Sequence, residues 1–206
     1  GAAGLFRWRV RRVWARATAW PSSLITLENL MTITRDKMNV MVDLETLGTA
    51  SNSVIISMGA VAFDNEGNTL STFYRRIDPQ SCVDAGLKVD VSTVMWWMKQ
   101  SDAARAAFNE KGVLLAAALG DFAMWVPEDA CLWGNGATFD NVLLTNAYKA
   151  AGLKAPWPYW GDRCYRTVKA LYPHISAGAF EGAAHNALAD ARHQTKHLLK
   201  IAGVAQ

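Results

Sequence analysis

The chain has 206 residues, of which 51% are hydrophobic, and this composition supports one folded domain and excludes disorder throughout. Three scattered cysteines and the lack of a membrane-length apolar run argue against a disulfide framework and a membrane protein, and favour a soluble protein of the cytoplasm. The net charge of +3 comes from residues 1–37, which hold seven basic and two acidic residues, so the mildly acidic remainder does not depend on phosphate attraction alone.

Residues 1–37 stand apart from the rest of the chain. They interleave basic residues with three tryptophans and show no strand alternation. We interpret them as a disordered or non-native leader, translated from upstream of an internal start. The alternatives are a basic aromatic arm for nucleic acid or a membrane surface, and a transit peptide. The predicted folded domain therefore covers residues 38–206.

Three extended segments follow the leader. Apolar and β-branched runs predict strands over 39–44, 54–63 and 69–77, and a turn rich in Asp, Asn and Gly joins the second strand to the third. These segments predict a three-stranded antiparallel meander.

Helices and short strands alternate after the meander. The predicted elements are helices over 92–99, 102–109 and 113–125, a strand over 130–133, a helix over 138–151 capped by Thr138 and stopped by Gly152, a strand over 159–161, a helix ending at Leu171, and a helix over 186–201. Strands first, and then alternating helices and strands, predict an α/β fold with a mixed sheet flanked by helices.

Acidic residues fall at the ends of two predicted strands. Asp43 and Glu45 close the first strand, where alternation sends both side chains to the same face. Asp140 follows a glycine-bearing turn and falls in the first turn of a helix. Solvation at a strand end, or stabilisation of the helix dipole, would be an adequate explanation for each acid alone. These acids indicate a functional site only when they are considered together with the other candidate residues.

His185 and Asp190 complete this set. Inside one helix they would point roughly 140° apart, on different faces. They can share a site only if His185 precedes the helix, and Asn186 as a helix cap allows this. Four carboxylates in one cleft require cations, and oxygen ligands favour two Mg²⁺ or Mn²⁺ ions, which is the arrangement that hydrolyses phosphodiesters. A histidine can accept the proton of the attacking water.

These five residues resemble the motifs of the DEDDh class of 3′-to-5′ exonucleases in the ribonuclease H-like superfamily. The resemblance implies that Asp43, Glu45, Asp140 and Asp190 bind the metal ions and that His185 is the general base. It also implies a ribonuclease H-like fold with a mixed five-stranded sheet, antiparallel and then parallel. A homodimer is the common assembly in this class.

Within the class, the segments 41–48, 55–61 and 133–140 look like phage and prophage exonucleases labelled exodeoxyribonuclease VIII-like, which are themselves similar to a mycobacterial-type exoribonuclease. The likeness covers about residues 39–203. It implies removal of nucleoside monophosphates from 3′ ends. We expect single-stranded ends, because a narrow cleft must admit a lone 3′ terminus, and duplex ends are the open alternative. Both DNA and RNA remain open as substrates, because the chemistry acts on the phosphate.

The resemblance also implies residues that hold the terminal nucleotide. It points to Thr46, Leu47 and Phe139, and we add Trp97 or its neighbour Trp96 as a stacking platform for a base. Adjacent helix positions diverge by about 100°, so we expect one tryptophan in the core and the other exposed.

Two other functions are compatible with parts of the sequence. Asp190, His193 and His197 share one helical face and could form the site of a zinc hydrolase. The chain could also be a non-enzymatic binding module in which the leader contacts nucleic acid.

Overall fold

The computed structural model describes residues 38–182 and 185–204. The predicted leader, residues 1–37, lies outside the described residues. Every helix within the described ranges is too short or too polar to cross a membrane.

One five-stranded sheet organises the domain. Its strands are β1 (Asn39–Thr46), β2 (Ile55–Phe63), β3 (Thr69–Arg76), β4 (Cys131–Gly134) and β5 (Asp162–Cys164). The spatial order is β3-β2-β1-β4-β5, with antiparallel pairing among the first three strands and parallel pairing of β4 with β1 and of β5 with β4. The predicted mixed sheet, a meander followed by parallel strands, is confirmed.

The helices cover the sheet and connect its strands. They are α1 (Pro79–Asp84), α2 (Val91–Trp97), α3 (Asp102–Arg105), α4 (Leu115–Trp125), α5 (Asp140–Ala150), α6 (Tyr165–Leu171) and α7 (Ala187–Ala202), with 3-10 turns over Ala106–Asn109 and Tyr159–Gly161. The sequence did not predict α1, a helix of six residues in which Asp78 accepts from the backbone N–H of Gln80. The strand predicted over 159–161 is wrong. Those residues form a 3-10 turn, closed by the Gly161 N–H donating to the Pro158 carbonyl, and β5 starts one residue later.

Alternation along β1 separates two hydrophobic layers. Val40, Val42 and Leu44 face the layer that contains α4 and α5, whereas Met41 faces the layer that contains α7. Asp43 therefore continues the face covered by α7. The sheet thus directs the first pair of acids towards α7.

The start of α5 differs from the expected cap. Thr138 does not cap this helix, because the helix begins at Asp140 with Phe139 in the cap position and no side-chain cap bond. The turn is held by the Gly136 carbonyl, which accepts from the N–H groups of Phe139 (2.7 Å) and Asp140 (3.1 Å). Gly136 has a φ of 121°, a conformation that favours glycine. At the other end, Gly152 stops α5 as predicted, with a φ of 70°.

Candidate active site

Three acidic side chains meet where β1 ends. The carboxylate oxygens of Asp43, Glu45 and Asp190 that could hold a metal ion all lie within 4.8 Å of one another. Asp43 and Glu45 share one face of β1, and Asp190 comes from the first turn of α7. Residues distant in sequence are thus brought to one place by the contact between α7 and the sheet.

Gly59 makes this contact possible. It pairs with Asp43 across the antiparallel β1–β2 ladder, directly beneath the start of α7. A Cβ atom at this position would lie 2.2 Å from the backbone nitrogen of Leu188 and 2.3 Å from the carbonyl carbon of Ala187. Only a glycine lets the helix approach so closely. No local sequence pattern marks Gly59, because the need for a glycine arises from a contact between distant segments.

The fourth predicted acid, Asp140, lies beside this cluster. Backbone N–H groups of Leu44 and Asn135 lie near its carboxyl and partly offset the rise in its pKa that burial causes, and the residue is only 3% exposed. Asp140 is not one of the three residues whose oxygens lie within 4.8 Å of one another. Its charge nevertheless acts on Asp43, where it is the largest cause after burial of the rise in pKa. All four predicted acids therefore belong to one electrostatic unit.

Burial raises the pKa values of all four acids, and repulsion by neighbouring acids raises those of Asp43 and Glu45 further. Burial is the main cause at every one of them. The pKa of Asp43 is raised well above its usual range, and the pKa of Glu45 is raised to about 8 by burial and then by Asp190 and Asp140. Burial raises the pKa of Asp140 to about 7, and it also raises the pKa of Asp190. Without a counter-charge, the cluster therefore retains protons near neutral pH.

The oxygen atoms of the cluster fit a divalent cation. Asp190 Oδ2 is buried and has no hydrogen-bond partner among the described residues. Gln194 Nε2 donates to Asp43 Oδ1 at 2.7 Å and fixes that carboxylate. Carboxylate oxygens that are buried, crowded and partly unpaired are ligands that Mg²⁺ and Mn²⁺ prefer. Gln194 was not among the predicted site residues, since a glutamine inside a helix carries no distinctive local pattern.

His185 lies immediately before α7, as the helical geometry requires. Asn186 caps the helix, with its Oδ1 accepting from the Ala189 N–H at 3.0 Å, so the predicted cap is confirmed. His185 has a φ of 60°, which is uncommon for a residue other than glycine. Its ring contacts Trp96 and Trp97 edge-on, with centroid distances of 5.0 and 5.8 Å. The histidine is thus held between the start of α7 and the aromatic residues of α2.

A cleft of about 460 Å³ adjoins the acids at Glu45. Three of the predicted substrate residues, Thr46, Phe139 and Trp97, line it, whereas Leu47 lines a neighbouring apolar groove. The remaining lining residues are Leu44, Glu45, Gly48, Thr49, Ser92, Thr93 and Trp96. This cleft has the polar and aromatic lining that a nucleoside requires.

The two tryptophans of α2 differ in exposure, as the helix geometry predicted. Trp97 is 4% exposed and its Nε1 donates to the Thr46 carbonyl at 2.9 Å. Trp96 is 43% exposed. Trp97 thus supports the β1 end from the core and offers little surface to a base, so Trp96 is the better stacking platform.

The alternative helical zinc site cannot use His197 as a ligand, because both of its ring nitrogens already have partners. That ring lies with Nδ1 2.7 Å from the Tyr165 hydroxyl oxygen and Nε2 2.8 Å from the Ile175 carbonyl oxygen. A carbonyl only accepts, so Nε2 donates and Nδ1 accepts from Tyr165. The ring of His193 lies 5.1 Å from that of Phe180. Both nitrogens of His197 are therefore engaged in packing the domain.

The fold matches solved exonuclease structures. An E. coli exonuclease I–ssDNA complex in its zinc-bound form aligns with a TM-score of 0.59 and 19% identity over 80% of this chain and 40% of that chain. The E. coli enzyme with a dA16 oligonucleotide aligns with a TM-score of 0.58 and 19% identity over 80% of this chain and 41% of that chain. Exonuclease I from Methylocaldum szegediense aligns with a TM-score of 0.55 and 14% identity over 80% of this chain and 40% of that chain. The present chain spans about two fifths of the length of these proteins. At these identities the likeness establishes the fold.

The fold is therefore the one that these exonuclease I structures share, and its sheet carries the acidic cluster of Asp43, Glu45 and Asp190. Comparison with curated proteins by sequence finds no match. The chain belongs to the family described as the 3′-5′ exoribonuclease Rv2179c-like domain, whose profile matches residues 38–202.

Proposed function

We propose that the domain hydrolyses the terminal phosphodiester bond of single-stranded 3′ ends and so releases nucleoside monophosphates, using two Mg²⁺ or Mn²⁺ ions held by Asp43, Glu45, Asp140 and Asp190, with His185 as general base. The observation that carries this proposal is the convergence of ligand oxygens from Asp43, Glu45 and Asp190 within 4.8 Å. A crowded, buried acid cluster has no structural benefit unless it binds cations. The family supplies the direction of cleavage.

The residues of the site have separate tasks in this reaction. Two divalent ions bound there would activate the attacking water and stabilise the leaving 3′-oxygen. Gln194 Nε2 donates to Asp43 and orients that carboxylate before substrate arrives, and the buried Asp140 carboxyl lies beside the cluster. His185 accepts the proton of the water, because imidazole exchanges protons readily near neutral pH.

The cleft beside Glu45 accommodates the terminal nucleoside. Trp96 offers an exposed ring for stacking, and Thr46 and Phe139 also line the cleft. E. coli exonuclease I has been solved with dA16 and dT13 oligonucleotides, and the family is one of exoribonucleases. The oligonucleotide complexes support a single-stranded end as substrate, and the family description supports RNA, so the test compares RNA with DNA.

The proposal is tested by timed digestion of matched 5′-labelled RNA and DNA oligonucleotides with Mg²⁺, Mn²⁺ or EDTA. We expect a ladder that shortens from the 3′ end and disappears in EDTA. Asp43→Ala should lower the rate at least about a thousandfold, because each lost ligand removes several kcal/mol of transition-state stabilisation. The matched control Asp129→Ala alters an exposed acid elsewhere and should retain full activity. Internal cuts, or cutting in EDTA, would refute the proposal.

A further inference from the structure

We propose that the β5 edge of the sheet binds the substrate strand on the 5′ side of the terminal nucleotide. The binding surface, here called the edge track, consists of Tyr159, Trp160, Arg163 and Arg166. This inference rests on the proposed function, because it names the path by which the same substrate leaves the catalytic cluster. It assigns a role to a basic and aromatic segment that the acid cluster does not use.

Arg166 is the cation at the catalytic end of the edge track. Its Nη2 donates to the Asn135 carbonyl at 2.5 Å, and its guanidinium lies against Gly136, where a Cβ would meet Cζ at 3.1 Å. This places Arg166 on the turn that carries Asp140, and its charge lowers the pKa of Asp140. Arg166 forms no ion pair with any carboxylate in the described parts of the chain. The remaining donors of its guanidinium can therefore bind a phosphate of the substrate.

Arg163 and two aromatic rings continue the surface. Arg163 Nη1 donates to the carbonyls of Trp160 (2.8 Å) and Asp162 (2.9 Å), which fixes the arginine beside the tryptophan. Tyr159 is 83% exposed and Trp160 is 59% exposed, and their rings meet edge-on at 4.9 Å. Large exposed rings next to arginines are the combination that binds single strands, by stacking on bases and pairing with phosphates.

The one carboxylate within this segment does not neutralise it. Asp162 Oδ1 accepts from Asn141 Nδ2 at 2.8 Å and from Trp157 Nε1 at 3.1 Å, and Asp162 forms no ion pair with Arg163 or Arg166 among the described residues. The edge track thus keeps its positive charge, although residues 38–206 as a whole are mildly acidic. A local basic surface on an acidic domain is a specific electrostatic footprint for nucleic acid.

The topology gives the edge track its direction. β5 is the outer strand of the sheet and runs parallel to β4 and β1. Cys164, at the end of β5, pairs with Gly134, at the end of β4, so Arg166 follows at the same end of the sheet as the acids. Trp160 precedes β5, at the opposite end of a strand about 10 Å long. A nucleic-acid strand that starts at the acids and passes Arg166 would therefore reach Trp160 next.

The test compares a dinucleotide with a long oligonucleotide that has the same 3′-terminal sequence. For Trp160→Ala and for Arg166→Gln, we expect KM for the long strand to rise about tenfold relative to KM for the dinucleotide, since stacking and phosphate contacts are lost. Arg166→Gln should also reduce the slope of log affinity against log salt by about 0.7, and Arg166→Lys should restore most of the binding. The matched control Arg192→Gln removes an exposed arginine of α7 and should leave both KM values unchanged.

Melting temperatures of the variants separate binding from damage to the turn that carries Asp140. If Trp160→Ala and Arg166→Gln are active and leave the ratio of KM for the long strand to KM for the dinucleotide unchanged, the edge track does not bind the substrate strand. So would a Trp160→Ala variant that changes self-association in sedimentation but leaves KM for the long strand intact, because the rings would then form a protein interface. If the wild type digests neither substrate, the proposed function fails. The affinity of the same variants for a labelled strand, measured by fluorescence anisotropy, then still shows whether the edge track binds nucleic acid.

Discussion

Three of the four acids at the site, Asp43, Glu45 and Asp140, reach their positions by local rules that the sequence displays. Strand alternation predicted that Asp43 and Glu45 share a face, and the turn pattern predicted Asp140 in the first turn of a helix; the structure places them so. The roles of Gln194 and Trp97 could not be predicted in the same way. Gln194 acts through a contact with Asp43, and the burial of Trp97 depends on how α2 packs on β1, and neither contact leaves a periodic signal.

His185→Ala tests the proton acceptor at this scale. We expect kcat to fall about 10² to 10⁴-fold, which is the usual value of general-base help, while Mn²⁺ affinity changes little. Single-turnover kinetics and a Mn²⁺ titration measure the two effects. His174→Ala, at an exposed histidine outside the site, is the matched control and should behave as wild type. If His185→Ala turned over at the wild-type rate, His185 would have no part in the mechanism.

At the scale of elements, the site depends on how closely α7 approaches the sheet. The sequence predicted that His185 precedes α7 and that Asn186 caps it, because helical phase forbids any other way to bring His185 and Asp190 together. It did not predict the place where α7 meets β2. That contact is set by Gly59, a residue whose importance appears only when the helix and the strand are seen in contact.

Gly59→Ala should move α7 away from the sheet. The added methyl group would overlap backbone atoms of Ala187 and Leu188, which cannot move as a side chain can, so we expect a loss of roughly 1 to 3 kcal/mol in the free energy of unfolding. The folded variant should also lose activity, because Asp190 moves away from Asp43 and Glu45 with the helix. Urea unfolding and oligonucleotide digestion measure the two.

Gly120→Ala is the matched control for this substitution. Gly120 lies inside α4 with nothing within 4 Å of the position of an added Cβ. Alanine there should be neutral or should stabilise by about 0.5 to 1 kcal/mol, as expected for glycine replaced inside a helix. A Gly59→Ala variant as stable and active as Gly120→Ala would contradict the close-approach argument.

At the scale of the whole molecule, the buried acids link stability to pH and to metal. The pKa of Glu45 is raised to about 8 and that of Asp140 to about 7, above their ordinary values in an unfolded chain. The folded protein therefore binds more protons than the unfolded one between about pH 4 and 8, and stability must fall as pH rises through this window. Divalent ions replace the protons and should therefore prevent this decrease in stability at higher pH.

We expect the melting temperature in EDTA to decrease between pH 5 and pH 8.5, and Mn²⁺ to restore it at the higher pH. Asp140→Asn removes one of the repelling charges, so the metal-free variant should melt at or above the wild-type temperature at pH 8.5 while losing activity. Thermal unfolding at the two pH values, with and without Mn²⁺, measures both effects. A metal-free Asp140→Asn protein that melts well below wild type would show that this acid stabilises the fold.

The most direct test of the metal assignment is the anomalous scattering of crystals grown with Mn²⁺. We expect two anomalous peaks, about 3.5 to 4 Å apart, from two Mn²⁺ ions bound by Asp43, Glu45, Asp140 and Asp190. Absence of density between these four carboxylates at saturating Mn²⁺, or a single ion bound instead at His193, would contradict it.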